Sequence, residues 1–191
     1  LMLRKRLILV LVLLILSLLS PLAHADGPAF GVDEIVEAIK LEVMGAQAIE
    51  SGSPKVQIDR FNLTLKVVAA KTSQGDIEFE VPGIDAVTGQ GFSTSATHNI
   101  SIGMSLSEET PVTVLSSNLG ILPAIQNIKT TLRSAFNAPP PFKVTTLDFT
   151  LEFAVVRTDK QRYLFEIIET HKLNYKAFAT HTIVIHMSVV E

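Results

Sequence analysis

The 191-residue chain aligns with itself, and a chain that repeats at a fixed period folds as repeats of one structural unit. Phe61-Asn62-Leu63-Thr64-Leu65 lines up with Leu147-Asp148-Phe149-Thr150-Leu151 at an offset of 86, which also pairs Ala38-Ile39 with Ala124-Ile125, Thr72 with Thr158, and Phe79-Glu80 with Phe165-Glu166. Three fewer residues in the second copy's loop then change the offset to 83. There, seven of ten positions agree between Ala96-Thr97-His98-Asn99-Ile100-Ser101-Ile102-Gly103-Met104-Ser105 and Ala179-Thr180-His181-Thr182-Ile183-Val184-Ile185-His186-Met187-Ser188. Chance similarity between apolar strands would not also reproduce Thr-His and Met-Ser.

Each copy reads as one helix followed by three strands. Ile35, Ile39, Val43 and Ala46 recur at helical spacing, with Asp33 as N-cap and Ser51-Gly52-Ser53-Pro54 as terminator. The second helix carries Ile121, Ile125, Ile128, Leu132 and Phe136 and ends at Pro139-Pro140-Pro141. The first strands alternate, with Phe61, Leu63, Leu65, Val67 and Ala69 on one face and Leu147, Phe149, Leu151, Phe153 and Val155 repeating the pattern. Val56 and Ile58 are out of phase with Phe61, as Phe142 and Val144 are with Leu147, so a bulge is expected at Asp59-Arg60 and at Thr145-Thr146. Turns at Thr72–Gly75 and Thr158–Gln161 lead into Ile77, Phe79, Val81 and Tyr163, Phe165, Ile167, as antiparallel hairpins. The closing strands put His98, Ile100, Ile102 and Met104, or His181, Ile183, Ile185 and Met187, on one face. A Gly-rich loop, Thr88 to Ser95, precedes the first of them, and Ser107 to Ser117 links the copies. The fold class expected is α+β, two tandem α-β-β-β repeats with antiparallel sheets each covered by one helix, the sheets either joined edge to edge or facing each other.

Ahead of the repeats, Arg4, Lys5 and Arg6 precede the apolar run Leu7 to Leu19, then Pro21 and Ala23-His24-Ala25. The run is too short to span a membrane and has the layout of a secretory signal peptide, with cleavage after Ala25. An uncleaved anchor is the alternative. The organisation expected is therefore a signal peptide at 1–25, a first repeat at 26–110 and a second at 111–191. Loss of the leader removes three basic groups and no acid, which leaves 13 positive and 19 negative side chains, a net charge of −6. That balance argues against a nucleic-acid partner. With no Cys in the chain, packing alone must hold an exported, periplasmic or extracellular domain together.

The Ala-Ile helix core, hydrophobic strand, β-hairpin and closing Thr-His-x-Ile-x-Ile strand resemble the trypsin-co-occurring domain family, type 2. The resemblance covers Val32 to Leu106 and, more loosely, Leu119 to Val190. It implies a small non-catalytic α+β adaptor or sensor of bacterial systems, found beside trypsin-like proteases and NTPases. This chain departs from that pattern in its leader, its two copies and the lack of an attached protease, and no catalytic residue carries over.

His98 and His181 stand at equivalent positions, and copies packed about a pseudo-two-fold axis could bring them together around a metal or anion. The competing reading is structural, with each ring bonding its neighbours. His186 lies at an odd spacing from His181 and faces the other way. Ser105 and Ser188 fall on the face opposite His98 and His181, Glu80 and Glu166 read as a solvated strand face, and no nucleophile-elbow, phosphate-loop or zinc-protease motif occurs. Asn62-Leu63-Thr64 and Asn99-Ile100-Ser101 match the glycosylation sequon, a reading that would be moot in a bacterium, which the style of the leader suggests. No catalytic residue, cofactor or metal is therefore assigned. The function expected is a non-catalytic binding module for a protein or peptide, using the long loop Pro82 to Ser95. A carrier with an apolar cavity near Phe149, Phe153 and Phe165 is the alternative, and a hydrolase the third reading. A monomer is expected, its two copies shielding each other's edges.

Overall fold

The structure, a computed structural model, describes residues 27–49, 52–86, 88, 91, 98–106, 120–136, 139, 144–158, 163–168 and 180–190. The leader, the linker Ser107 to Ser117 and most of the loop Thr88 to Ser95 lie outside the described residues. In chain order the elements are β1 (Ala29–Gly31), α1 (Val32–Ala48), β2 (Lys55–Lys71), β3 (Ile77–Pro82), β4 (Ile84–Asp85), β5 (His98–Ser105), α2 (Ile121–Phe136), β6 (Thr146–Arg157), β7 (Tyr163–Ile167) and β8 (His181–Val190). The protein is α+β: the described residues form two helices on one eight-stranded sheet, antiparallel except where β4 runs parallel to β6. The sequence leaves open whether the sheets join edge to edge or face each other, and the pairing of β8 with both β2 and β6 makes one continuous sheet. The strands β1 and β4, three and two residues long, are too short to show any periodicity.

The backbone decides which strand lies where, because successive N–H and C=O groups point to opposite edges of a strand. In β2, the Thr72 N–H bonds the Asp76 carbonyl across the β3 hairpin (2.9 Å), while Asp59 accepts from the Leu106 N–H just past β5 (3.2 Å). Even-numbered positions therefore face β3 and odd-numbered ones face β5. β8 pairs with positions 60–64, which β5 also pairs, so β8 takes the even edge, end to end with β3. In β6, Thr145 accepts from Val189 (3.1 Å) and Glu152 from Ile168 (2.9 Å), which puts β8 and β7 on opposite edges. The main order is thus β5-β2-β8-β6-β7, with β3 and β1 continuing beyond one end of β8.

The apolar faces fall where alternation puts them. Phe61, Leu63, Leu65 and Val67 are buried, as are Ile183, Ile185 and Met187 on β8, and they pack with Ile35, Ile39, Val43 and Ala46 from α1. Val56 and Ile58 are also buried, because a register shift between Ile58 and Arg60 turns the phase. Farther along the chain β6 begins at Thr146, and Phe142 lies outside the described residues. Ile77, Phe79 and Val81 share a face, yet only Val81 is buried, because the hairpin tip extends past the helices. The N-cap of α1 is Gly31 and no side chain caps the helix, so Asp33 sits within its first turn and acts through the helix dipole instead.

The helices meet closely. A Cβ on Gly45 would come within 2.8 Å of the Leu122 side chain. Gly120, which begins α2, has φ of 110° and its Cβ would collide with the Phe165 carbonyl oxygen. Replacing Gly120 by Ala adds a left-handed backbone penalty to that collision, and the expected loss is about 2–3 kcal/mol. A urea midpoint unchanged by Gly120→Ala would contradict this packing.

Candidate functional site

His98 and His181 flank β2 from opposite edges. His98 is opposite Val67 on β5, and the His181 Nδ1 accepts the Lys66 N–H at 3.2 Å from β8. Two strand spacings, roughly 9–10 Å, separate them, so the rings do not share a site. His98 is exposed at the sheet edge, edge-on to Phe79 at 5.8 Å. His181 is fully buried and lies 5.4 Å from Phe153. Burial drives its pKa down from 6.5 to about 4; the nearby Pro82 carbonyl opposes this, and Lys66 adds slightly to it. Among the described residues the His181 Nε2 has no hydrogen-bond partner, so the Pro82 carbonyl acts as a nearby dipole and desolvation dominates.

Sequence spacing did not reveal a polar row on the sheet face turned away from the core. The Asp148 carboxylate lies 2.7 Å from His186 Nδ1, and the Asn62 amide lies 3.0 Å from His186 Nε2. A proton on Nδ1 satisfies both contacts, with the ring donating to the carboxylate and accepting from the amide. Next to this row, the Ser188 hydroxyl donates to Asp59 at 2.8 Å. Asn62 and Asp148 are 86 apart, the repeat offset, so the signal was present in the alignment. What it lacked was the knowledge that β8 enters between the two strands and carries His186 between them. The row resembles an acid-histidine pair, yet an amide occupies the place a nucleophile would need, and Ser188 is engaged by a carboxylate.

Of the phenylalanines expected beside a cavity, two pack against each other and Phe149 is half-buried. Phe153 and Phe165 are edge-to-face at 5.5 Å, and Tyr163 lies 5.5 Å from Phe30. A small cavity of about 70 Å³ is lined by Ile49, Gln126, Lys129, Thr130 and Arg133, a polar setting. The long loop starts firmly: the Gly83 N–H bonds the Pro28 carbonyl at 2.7 Å, Ile84 is buried, and the Asp85 carboxylate accepts from the Thr88 backbone and hydroxyl. It rejoins the sheet at His98, beside Phe79.

Among the described residues the most exposed large apolar side chains stand there. Ile77 is 70% exposed and Phe79 44%, and both stand on the β2–β3 hairpin next to the His98 ring. Their counterparts by the offset, Tyr163 and Phe165, are half-buried and buried. The two hairpins thus share a pattern but differ in cover, and the first presents apolar side chains to solvent.

No curated protein and no solved structure matches the chain. Residues 30–106, which run from β1 to just past the end of β5, match the family model of trypsin-co-occurring domain 2.

Proposed function

We propose that the chain is an exported, non-catalytic binding module built from two fused copies of one α-β-β-β unit, and that it engages a protein or peptide partner at the β2–β3 hairpin where the long loop returns. Strand registers support the two-copy reading. Leu63 opposes Ile102 and Phe149 opposes Ile185; Ala69 opposes Phe79 and Val155 opposes Phe165. Each second pair is the first moved by 86 on the leading strand and by the local offset on its partner. The Ile77–Phe79 surface carries the binding reading, since large apolar groups left in water beside a polar rim are the usual anchor of a protein interface.

The test is affinity capture from the source cell with the intact chain, compared with Ile77→Ser combined with Phe79→Ser. Because both side chains are exposed, each change shifts stability by less than about 0.5 kcal/mol. Partner recovery falls at least about tenfold, as expected for an interface anchor. A Leu41→Ser control on α1 leaves it unchanged. Equal recovery by the hairpin variant and the intact chain would remove the hairpin from the reading.

A further inference from the structure

We propose that this chain associates head to tail with copies of itself, the outer edge of β5 in one chain adding as a strand to the open edge of β6 in the next. The register is the one β8 adopts on β2, so the inference rests on the two-copy reading. The internal join is one-way. β8, the last strand of the second copy, uses both its edges, pairing β6 on one side and β2 on the other. Its counterpart β5 pairs only β2 among the described residues. A pair closed about a two-fold axis would also have joined β5 to β6, and the described residues do not. Among the described residues two complementary ends stay open: the β5 edge at Asn99, Ser101, Gly103 and Ser105, and the β6 edge at Thr146, Asp148 and Thr150, ahead of the rows β7 pairs.

The internal register says which residues would meet. Asn62 opposes Val184 and Thr64 opposes Thr182 in the join; the offsets turn these into Asp148 opposite Ser101 and Thr150 opposite Asn99. On the core face, Phe61–Ile185 and Leu63–Ile183 become Leu147–Ile102 and Phe149–Ile100. The internal four are all buried, with exposures of 2% or less. Their counterparts Leu147, Phe149, Ile100 and Ile102 are only half-buried, so a second chain would complete the cover that β8 already provides on β2. The β5 edge also lacks the usual defences against strand addition. Asn99 to Ser105 contains no Pro, no Lys and no charge. The β6 edge contributes one carboxylate, Asp148, which would meet a serine and not another acid. Because the two surfaces differ, the contact is heterologous and extends beyond two chains.

Engineered cysteines test this directly, since the chain has none of its own. Asn62→Cys with Val184→Cys in one chain is the internal reference, a directly opposed pair within disulfide reach. A full-length Ser101→Cys chain mixed with an Asp148→Cys chain probes the proposed contact. Under mild oxidation the mixture is expected to give a disulfide-linked dimer at least about tenfold in excess of a Ser105→Cys and Asp148→Cys mixture, whose strand positions are out of reach. A chain carrying both Ser101→Cys and Asp148→Cys is expected to give a ladder of species. If the internal pair closes and the mixture does no better than the out-of-reach control, self-association is overturned and the two-copy reading stands. If Ser101→Cys instead traps a chain of different mass, the edge belongs to another protein and the proposal is likewise overturned. If the internal pair itself fails to close, the β2–β8 join is wrong and both readings fall. As a second measurement, Ser101→Pro removes one outward N–H without touching the β2 bonds, and it is expected to abolish any rise of light-scattering mass with concentration.

Discussion

Truncation of Lys129 to Ala is expected to destabilise the protein by about 3–5 kcal/mol, the cost of breaking a buried charged contact from one side. Lys129 on α2 is 1% exposed and Glu42 on α1 is fully buried. Each reaches across to the other helix's backbone. The Lys129 Nζ donates to the Ala46 carbonyl at 3.0 Å, and the Glu42 carboxylate accepts the Leu122 N–H at 2.7 Å, near the α2 N-terminus. The second contact satisfies an N–H that the first turn of a helix leaves without an intrahelical partner. Removing the Lys side chain opens a cavity and strips a donor from a buried carbonyl, so the penalties add. Replacing Glu42 and Lys129 together by Leu removes both polar groups and is expected to cost less than Lys129→Ala alone. Chemical denaturation of the two variants beside the unaltered chain checks this. A Lys129→Ala loss under about 1 kcal/mol would mean that the side chain behaves as an exposed one.

Lys129 also marks where sequence reading stops. Hydrophobic spacing located α2 correctly, because Ile121 and Ile125 recur on one face and both are buried. It could not bring Lys129 inside, since a lysine interrupts an apolar stripe unless something opposite receives its charge, and that something lies 83 residues away on Ala46. Alternation in β2 and β8 was legible for the opposite reason: a strand buried on one face must place every second side chain there, so period alone suffices. The bulge at Asp59 was legible through the same logic, as a change of phase between Ile58 and Phe61. The order of strands was not, because it depends on which edges meet. That order separates two histidines that the alignment treats as equals. His98 is on an edge strand and meets solvent; His181 is on the central strand and meets none. The Asn62–His186–Asp148 row was hidden by the same fact, since only the insertion of β8 between β2 and β6 assembles it.

The burial of His181 gives the protein a pH dependence with a defined sign. Its folded pKa is about 4 against an ordinary 6.5, so between those values the unfolded chain holds a proton that the folded chain refuses. Stability therefore rises with pH through this window, is complete above about 6.5, and is lost as pH falls toward 4. The full difference is about 3 kcal/mol, and about 2 kcal/mol of it is gone by pH 5. His181→Asn keeps an acceptor for the Lys66 N–H near the position of Nδ1 but cannot titrate. It lowers stability at pH 7 through lost volume and the lost ring contact with Phe153, and it is expected to flatten the slope between pH 5 and 7, so that the deficit shrinks as pH falls. The comparison is between slopes, because every other titratable group is common to both proteins. Urea unfolding of the two chains at pH 5 and pH 7 measures it. A slope that survives His181→Asn would place the titrating group elsewhere and would mean that the buried ring accepts its proton without cost, which its position between Phe153 and the Lys66 backbone does not allow.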